Sequence, residues 1–244
     1  MYSIAFKMLI GNRGKFYAMV FGVALTSLII TQQTSIFLGL MSRTVGFIYD
    51  TAQPDLWVMD PKVQFVDDIK PLQDTKLLQV RGVEGVQWAV PLYKGSIRAR
   101  LPNGTFQTCN VIGLDDATLI AGPPVMAQGT LGDLRRADGV IVDEAAANGK
   151  LAKPGATPDA PKVPLVVGDI LELNDNRAVV VGIARVTRTF QSQPVVYTTY
   201  SRAMRFAPRE RKLLSFILVK AKEGYKLSDV AKRIEKQASL AAFT

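Results

Sequence analysis

The sequence predicts an α+β protein in which one N-terminal transmembrane helix is followed by a mixed-sheet extracytoplasmic domain. Three observations predict this class: an uncharged run of 25 residues near the N-terminus, short β-rich segments separated by turn signals, and helical apolar periodicity near the C-terminus. Few of the strand-like segments are followed by a long helix, which favours α+β over a parallel α/β arrangement.

The uncharged run, from Phe16 to Leu40, is predicted to span a membrane. As a helix it would be about 37 Å long, and the hydrocarbon core of a bilayer is about 30 Å thick. A soluble core helix would show a polar face. An export signal would have a shorter apolar stretch and a cleavage site with small residues, which 32–50 lacks. The segment is therefore expected to remain as an anchor.

Polar residues occupy positions 31–35, in the second half of this span. Polar side chains at that depth usually face other helices or water, where hydrogen-bond partners exist. Two interpretations stay open: the helix packs against other helices, or Gln32 and Gln33 lie near the membrane interface.

Basic residues predict the orientation. Lys7, Arg13 and Lys15 closely precede the span, and Asp50 is the first acidic residue. Because positive charge is retained on the cytoplasmic side, the N-terminus is expected in the cytoplasm and the main domain in the periplasm. The protein is accordingly expected in the cell inner (cytoplasmic) membrane, embedded in the lipid bilayer.

This orientation divides the chain into four expected parts. Residues 1–15 form a cytoplasmic stub, 16–43 the transmembrane helix and 44–235 the extracytoplasmic domain. Residues 236–244 are expected to return to the membrane as the start of a second span, because the basic residues before them suit a surface of anionic head groups. An ordinary amphipathic surface helix would explain the same basic residues.

The net charge of +9 does not by itself indicate a nucleic-acid partner. Residues 202–236 hold eleven basic and four acidic side chains, whereas the middle of the chain is close to balanced. Both basic clusters lie near chain ends, and a solvated surface is the simplest explanation. No basic segment is interleaved with aromatic residues for base stacking, so no nucleic-acid partner is expected.

The residues that usually perform catalysis are scarce. The chain has no histidine and one cysteine, Cys109. Serine, cysteine and zinc enzymes commonly recruit histidine as base or ligand, so several enzyme classes are disfavoured. The carboxylate pairs Asp67-Asp68 and Asp115-Asp116 are candidates for a cation site, but solvated turn residues are the commoner explanation. No catalytic, cofactor-binding or metal site is predicted.

The rest of the sequence predicts the elements of the domain. A strand at 55–60 ends before a proline, and a helix is expected within 66–86. The stretch 145–164, rich in Pro, Gly and Ala, is expected to be an exposed loop. A final helix has Ser228 as its expected N-cap. Its apolar residues recur with helical spacing at 227, 230, 231, 234 and 238.

Two β-hairpins are also predicted. In the first, Asn103-Gly104 supplies the two positive-φ positions of a type I′ turn, which places Leu101 opposite Phe106 on the core face. In the second, two β-rich runs flank the segment from Asn174 to Asn176.

Several of these segments together resemble a known family. “DLWVMDP” at 55–61, the helix exit at 83–91 and “VGDILELNDNRAVVVGI” at 167–183 follow an N-terminal stub and one span. In this combination they resemble the permease subunits of MacB-type ABC transporters, a family that includes the FtsX-like permeases. The opening and “DLWVMDPKVQFVDDIKPL” are most similar to the DevC-like branch.

The resemblance implies the membrane (permease) subunit of an ABC-type exporter. A separate cytoplasmic ATPase subunit would drive it, and two permease copies would form a homodimer. Mechanical coupling would move the MacB-like periplasmic core domain, so that a periplasmic adaptor, or membrane fusion protein, and an outer-membrane channel could expel a substrate. Such a permease has no catalytic site of its own. Family members have three further spans after this domain, so the chain is expected to be an N-terminal piece or a truncated product.

Two rival functions stay open at this point. A single-pass membrane-anchored envelope sensor or assembly factor would bind a ligand or protein partner through the same domain. A membrane-anchored enzyme is disfavoured, because no acid–base constellation is apparent in the sequence.

Overall fold

The structure, a computed structural model, describes most of the chain. The described residues are 11–51, 53–155, 160–188, 192–208 and 213–244. They fall into two units: the first ends at Thr44, and the second comprises Val45 to Thr244.

The first unit contains the apolar helix. Helix α1 extends from Arg13 to Asp50, so its residues 45–50 belong to the second unit. Its 38 residues are about 57 Å long at about 1.5 Å per residue. Among the described residues, α1 is the one helix that is long and apolar enough to cross a membrane. Its side chains up to Thr44 are almost all exposed, which suits a helix surrounded by lipid.

Threonine hydroxyls inside α1 are satisfied by the helix itself. Thr26, Thr31 and Thr34 each donate a hydrogen bond to the carbonyl four residues earlier, at 2.8, 2.8 and 2.9 Å. An unsatisfied polar group in hydrocarbon is costly, and these bonds lower that cost. The threonines therefore need no partner helix.

The second unit combines strands and short helices. Its strands within the described residues are β1 (Leu56–Met59), β2 (Val86–Arg100), β3 (Phe106–Leu114), β4 (Val125–Gln128), β5 (Gly139–Asp143), β6 (Ile170–Leu173), β7 (Asn176–Arg185), β8 (Val195–Thr199), β9 (Phe216–Ala221) and β10 (Ala241–Phe243). Its helices there are α2 (Asp74–Arg81), α3 (Glu144–Ala147), α4 (Tyr200–Phe206) and α5 (Leu227–Ala238), with a 3₁₀ turn at Leu131–Arg135.

The strands form one mixed sheet in the order β10-β1-β9-β2-β3-β8-β5-β7-β4, and β6 pairs with β2 and β7. The pairs β3–β8 and β5–β7 are parallel. The long strand β2 joins two halves, because its residues 86–92 pair with β9 and its residues 93–100 pair with β3. We call them the β9 half, which contains β10, β1 and β9, and the β3 half, which contains β3, β4, β5, β6, β7 and β8. The predicted fold class, one apolar helix followed by a mixed-sheet α+β domain, is confirmed.

Helix α5 packs on the β9 half through the apolar stripe that its periodicity predicts. The buried positions of this stripe are Val230, Ala231, Ile234 and Ala238. Leu227 is instead 36% exposed. The prediction of Ser228 as N-cap is wrong: the N-cap is Lys226, whose carbonyl accepts the first helical hydrogen bonds. Ser228 therefore lies inside the first turn.

The two hairpin predictions have different outcomes. The hairpin of β6 and β7 is confirmed, since Asn174 and Asp175, both with positive φ, form its two-residue loop. In the hairpin of β2 and β3, Arg100 lies opposite Phe106. The prediction that Leu101 lies there is wrong by one residue.

The proline explains the register error. Pro102 has the fixed negative φ that suits the second position of a type I turn, so the turn begins at Leu101 and ends at Gly104. Gly104 then has a φ of 78°, as in a three-residue hairpin loop with a bulge. The shift places Phe106 on the wet face, where it is 63% exposed.

Two further element predictions are correct only in part. The helix expected within 66–86 is limited to α2, and Leu72 before it forms an isolated bridge with Leu214. The stretch 145–164 begins within α3, and its residues Leu151 and Ala152 are buried. Burial of these apolar side chains is favourable, so this part packs on the domain.

The last residues of the chain add a strand to the sheet. Strand β10 pairs antiparallel with β1 and places Phe243 opposite Trp57 at the edge of the β9 half. The expected return of 236–244 to a membrane stays a prediction.

Candidate functional site

The candidate functional site is the place where the last turns of α1 meet the sheet. We call it the junction, and its residues are Gly46, Phe47, Asp50, Trp57, Lys94 and Thr187. All of them belong to the second unit. Their contacts decide how firmly the end of α1 is held by the sheet.

Asp50 binds the end of α1 to the segment that follows β7. The backbone N–H of Thr187 donates to Oδ2 of Asp50 at 2.8 Å, and the Thr187 hydroxyl donates to Oδ1 at 2.9 Å. A carboxylate at the C-terminal end of a helix opposes the helix dipole. Hydrogen bonds to an ionised acceptor are about twice as strong as neutral ones, so the two bonds offset this unfavourable position.

Gly46 allows the helix to approach Thr187 closely. It is the buried residue of α1. A Cβ atom at this position would lie 2.4 Å from Cγ2 of Thr187, well inside van der Waals contact. Asp50 lies one helical turn after Gly46. A larger residue at position 46 would therefore push Thr187 away from Asp50.

Aromatic rings continue the contact into the β9 half. Phe47 and Trp57 pack edge to face, with ring centroids 5.6 Å apart and an interplanar angle of 71°. Trp57 meets Phe216 of β9 in the same way, at 5.7 Å and 73°. Such pairs stabilise by about 0.5–1.5 kcal/mol beyond the area that they bury.

Lys94 is a buried charge at the centre of the junction. Its Nζ donates to the Asp67 carboxylate and, at 3.1 Å, to the carbonyl of Val66, and it lies 5.0 Å from the Phe47 ring centroid. Only 3% of the side chain is exposed. Burial lowers the pKa of the Lys94 ammonium from its ordinary value, and the hydrogen bond that it donates to Asp67 opposes this shift. The lysine thus connects α1, the loop before α2 and strand β2.

The junction reaches both halves of the sheet. Trp57 lies on β1 in the β9 half, whereas Thr187 follows β7 in the β3 half. Because the last turns of α1 contact both, a displacement of these turns would act on the two halves together.

The residues predicted to define the span and its orientation lie in or before α1. Phe16 and Leu40 are both helical, Arg13 is the first residue of α1, and Lys15 lies in its first turn. Lys7 lies outside the described residues. The roles of these residues in spanning and orientation stay predictions.

The first carboxylate pair predicted as a cation candidate is engaged in hydrogen bonds and ion pairs with groups of the protein. Asp67 accepts from Lys94. Asp68 pairs with Lys70 at 2.8 Å and accepts from the backbone N–H of Gln64 at 3.3 Å. The hydrogen bond from Lys70 lowers the pKa of Asp68. These contacts are those of a structured loop.

The second pair is held in the same manner. Asp115 accepts from the N–H and the hydroxyl of Thr118 at 3.0 and 2.8 Å, and Asp116 accepts from the Ser201 hydroxyl at 3.0 Å. Within the part of the chain that the structure describes, no group of three or more His, Cys, Asp or Glu side chains is placed to hold a metal ion.

Cys109 is fully buried, which raises the pKa of its thiol to about 12.

The junction was not predicted from the sequence. A signal existed at Lys94, because a charge interrupts the apolar strand “AVPLYKGSI” at 89–97. A lysine in such a strand is usually exposed, and only the fold shows that this one is buried. Asp50 and Thr187 are 137 residues apart, and neither belongs to a recognisable motif.

The observed elements define a class of protein: an α+β domain that follows, along the chain, a helix long and apolar enough to cross a membrane. The family described as the MacB-like periplasmic core domain matches residues 17–237, and the chain belongs to it. The resemblance to permease subunits of MacB-type ABC transporters is thereby confirmed, whereas the DevC-like branch stays a prediction.

Two solved structures share the fold. The periplasmic region of MacB from Actinobacillus actinomycetemcomitans is 14% identical, covers 81% of this chain and 91% of its own, and has a TM-score of 0.54. The extracellular domain of the ABC-type transporter YknZ from Gram-positive bacteria is 14% identical, covers 78% of this chain and 99% of its own, and has a TM-score of 0.51. No curated protein sequence matches the chain.

Proposed function

We propose that the chain is the membrane (permease) subunit of an ABC-type exporter, in which ATP hydrolysis by a separate cytoplasmic subunit moves the extracytoplasmic domain. The observation that supports this most strongly is the family match over 17–237, which includes most of α1 as well as the domain. A sensor or assembly factor would need the same anchor but has no comparable support.

The junction provides the mechanical connection in this proposal. Two charge-assisted hydrogen bonds, one close-packed glycine and a buried lysine hold residues 45–50 of α1 against the sheet. Closely packed groups transmit a displacement because they have little free volume in which to absorb it. A movement of α1 would therefore displace the domain.

The proposal includes the expected topology and partners. Residues 1–15 lie in the cytoplasm, 16–43 cross the inner membrane, and 44–235 form the domain in the periplasm. Two copies form a homodimer, and a periplasmic adaptor binds the domain. The chain needs no catalytic residue, since the ATPase acts on a separate chain.

Affinity purification tests the ATPase partner. The full chain, tagged at its N-terminus, is extracted from its native membranes in mild detergent, and associated proteins are identified by mass spectrometry. We expect an ABC-type ATPase to co-purify. An Asp50→Ala variant is expected to retain it, because Asp50 is proposed to act on the opposite side of the membrane. Recovery of the folded chain without any such ATPase would contradict the proposal.

A further inference from the structure

A cavity lies beside the junction, between the ends of β5 and β7. Its volume is about 180 Å³. A cavity of ~150 Å³ with apolar walls is known to hold benzene, so this one has room for one aromatic ring or a short branched chain. Ala145, Ala146, Val186 and Pro194 contribute apolar surface to its wall.

Two cations line the same cavity. Arg188 and Lys150 are both exposed side chains of the wall. The Lys150 ammonium donates to the carbonyl of Ser192 at 2.7 Å, which leaves it further protons for a second acceptor. The Arg188 guanidinium presents five donors in a planar fork that matches a carboxylate.

Among the described residues of the wall there is one carboxylate, and it is already engaged. Asp143 is 7% exposed, and its Oδ1 accepts from the N–H of Ala146 while its Oδ2 accepts from the N–H of Val195, both at 2.7 Å. Burial raises the pKa of the Asp143 carboxyl, and the backbone bonds together with the nearby charge of Arg188 oppose the rise, so that Lys150 remains as a cation in excess of this pair. Asp143 therefore serves the fold, and the cavity presents an excess of positive charge to a ligand.

We infer that this cavity binds a small monocarboxylate with an apolar body. The ligand carboxylate pairs with Arg188 and Lys150, and the body packs against Val186 and Pro194. Thr187, which holds Asp50 of the junction, also lines the cavity. An occupied cavity thus stabilises the segment to which the end of α1 is bound. The inference does not require the proposed transport function.

Benzoate is the probe that tests the inference. The full chain in detergent is titrated with benzoate at neutral pH and low salt, and binding is followed by calorimetry or ligand-observed NMR. We expect saturable binding with a Kd of about 1 mM or tighter. Neutral benzamide and cationic benzylamine, which have the same ring, should bind at least about fivefold more weakly, because they lack the carboxylate that pairs with the two cations.

Variants assign the binding to the cavity. Arg188→Gln and Lys150→Gln should each weaken benzoate binding by about fivefold or more. Arg185→Gln is the matched control, since Arg185 pairs with Glu144 at 2.8 Å and does not line the cavity. Its affinity should equal that of the wild type. Absence of saturable binding up to about 10 mM, tighter binding of benzylamine, or equal affinity in Arg188→Gln and Arg185→Gln would each overturn the inference. None of these outcomes bears on the ATPase test above.

Discussion

Replacing Gly46 by Ala should destabilise the domain by about 2–4 kcal/mol, the largest effect that we expect from adding one methyl group. The new Cβ would lie 2.4 Å from Cγ2 of Thr187, so Thr187 must move and its two hydrogen bonds to Asp50 must lengthen. For a domain of this size the loss corresponds to a fall in Tm of roughly 4–16 °C, which thermal unfolding in detergent measures.

Two variants separate this clash from a general effect on the helix. Gly39→Ala adds the same methyl group where no atom lies within 4 Å, and it should leave Tm unchanged or raise it slightly. Thr187→Ser removes the clashing methyl but keeps the hydroxyl that binds Asp50. Combined with Gly46→Ala, it should restore a large part of the lost stability. Equal Tm values for Gly46→Ala and Gly39→Ala would show that the close approach of Gly46 to Thr187 does not contribute to the stability of the domain.

Replacing Lys94 by Ala should cost about 2–4 kcal/mol of unfolding free energy. The substitution removes the part of a buried side chain that lies beyond Cβ from beside Phe47 and leaves a cavity at the junction. It also removes the donor that holds the carbonyl of Val66 and the Asp67 carboxylate. Chemical denaturation measures the loss, and limited proteolysis should show faster cleavage in the loop before α2.

Lys94→Met separates the packing of this side chain from its charge. Methionine keeps the volume and makes favourable contacts with aromatic rings, and because the Asp67 side chain is 49% exposed, removal of the lysine leaves no buried unpaired charge. The Met variant should therefore lie within about 1 kcal/mol of the wild type. A loss as large as that of Lys94→Ala would show that the charge itself stabilises the junction.

The lowered pKa of Lys94 gives the same comparison a pH dependence. Burial of the charged ammonium lowers the free energy of unfolding. This destabilisation is present in full below the folded-state pKa of Lys94 and is lost as pH rises toward the ordinary value of 10.5. Wild-type stability relative to Lys94→Met should therefore increase as pH rises into that window. A constant or falling difference would contradict the assignment of Lys94 as a desolvated ammonium.

Local sequence signals predicted the parts of the fold that local chemistry determines. The uncharged run predicted α1, the alternating strands and the Asn174-Asp175 turn predicted the second hairpin, and helical spacing predicted the buried stripe of α5. The register error in the first hairpin arose where two local signals compete. Pro102 prevailed over Asn103-Gly104 in choosing the turn, and the register moved by one residue.

The junction lay beyond local signals for a different reason. It depends on contacts between residues far apart in the chain, such as Asp50 with Thr187 and Lys94 with Asp67. Gly46 looks in the sequence like any glycine of an apolar helix. Its meaning comes from a threonine that the sheet brings beside it, and neither hydrophobic period nor turn chemistry encodes that approach.

Thiol labelling of intact spheroplasts tests the central claim most directly, that α1 crosses the membrane and the sheet domain lies on the side opposite the N-terminus. Cys109 is buried with a raised pKa, so it should react slowly and need not be removed. Cysteines are introduced one at a time at Glu223, in an exposed turn, and at Ser3.

A membrane-impermeant maleimide is added before and after lysis. We predict that Glu223→Cys is labelled in intact spheroplasts and that Ser3→Cys is labelled only after lysis. The reverse pattern, or labelling of both cysteines only after lysis, would contradict an extracytoplasmic domain and with it the assignment of the chain as the permease of an exporter.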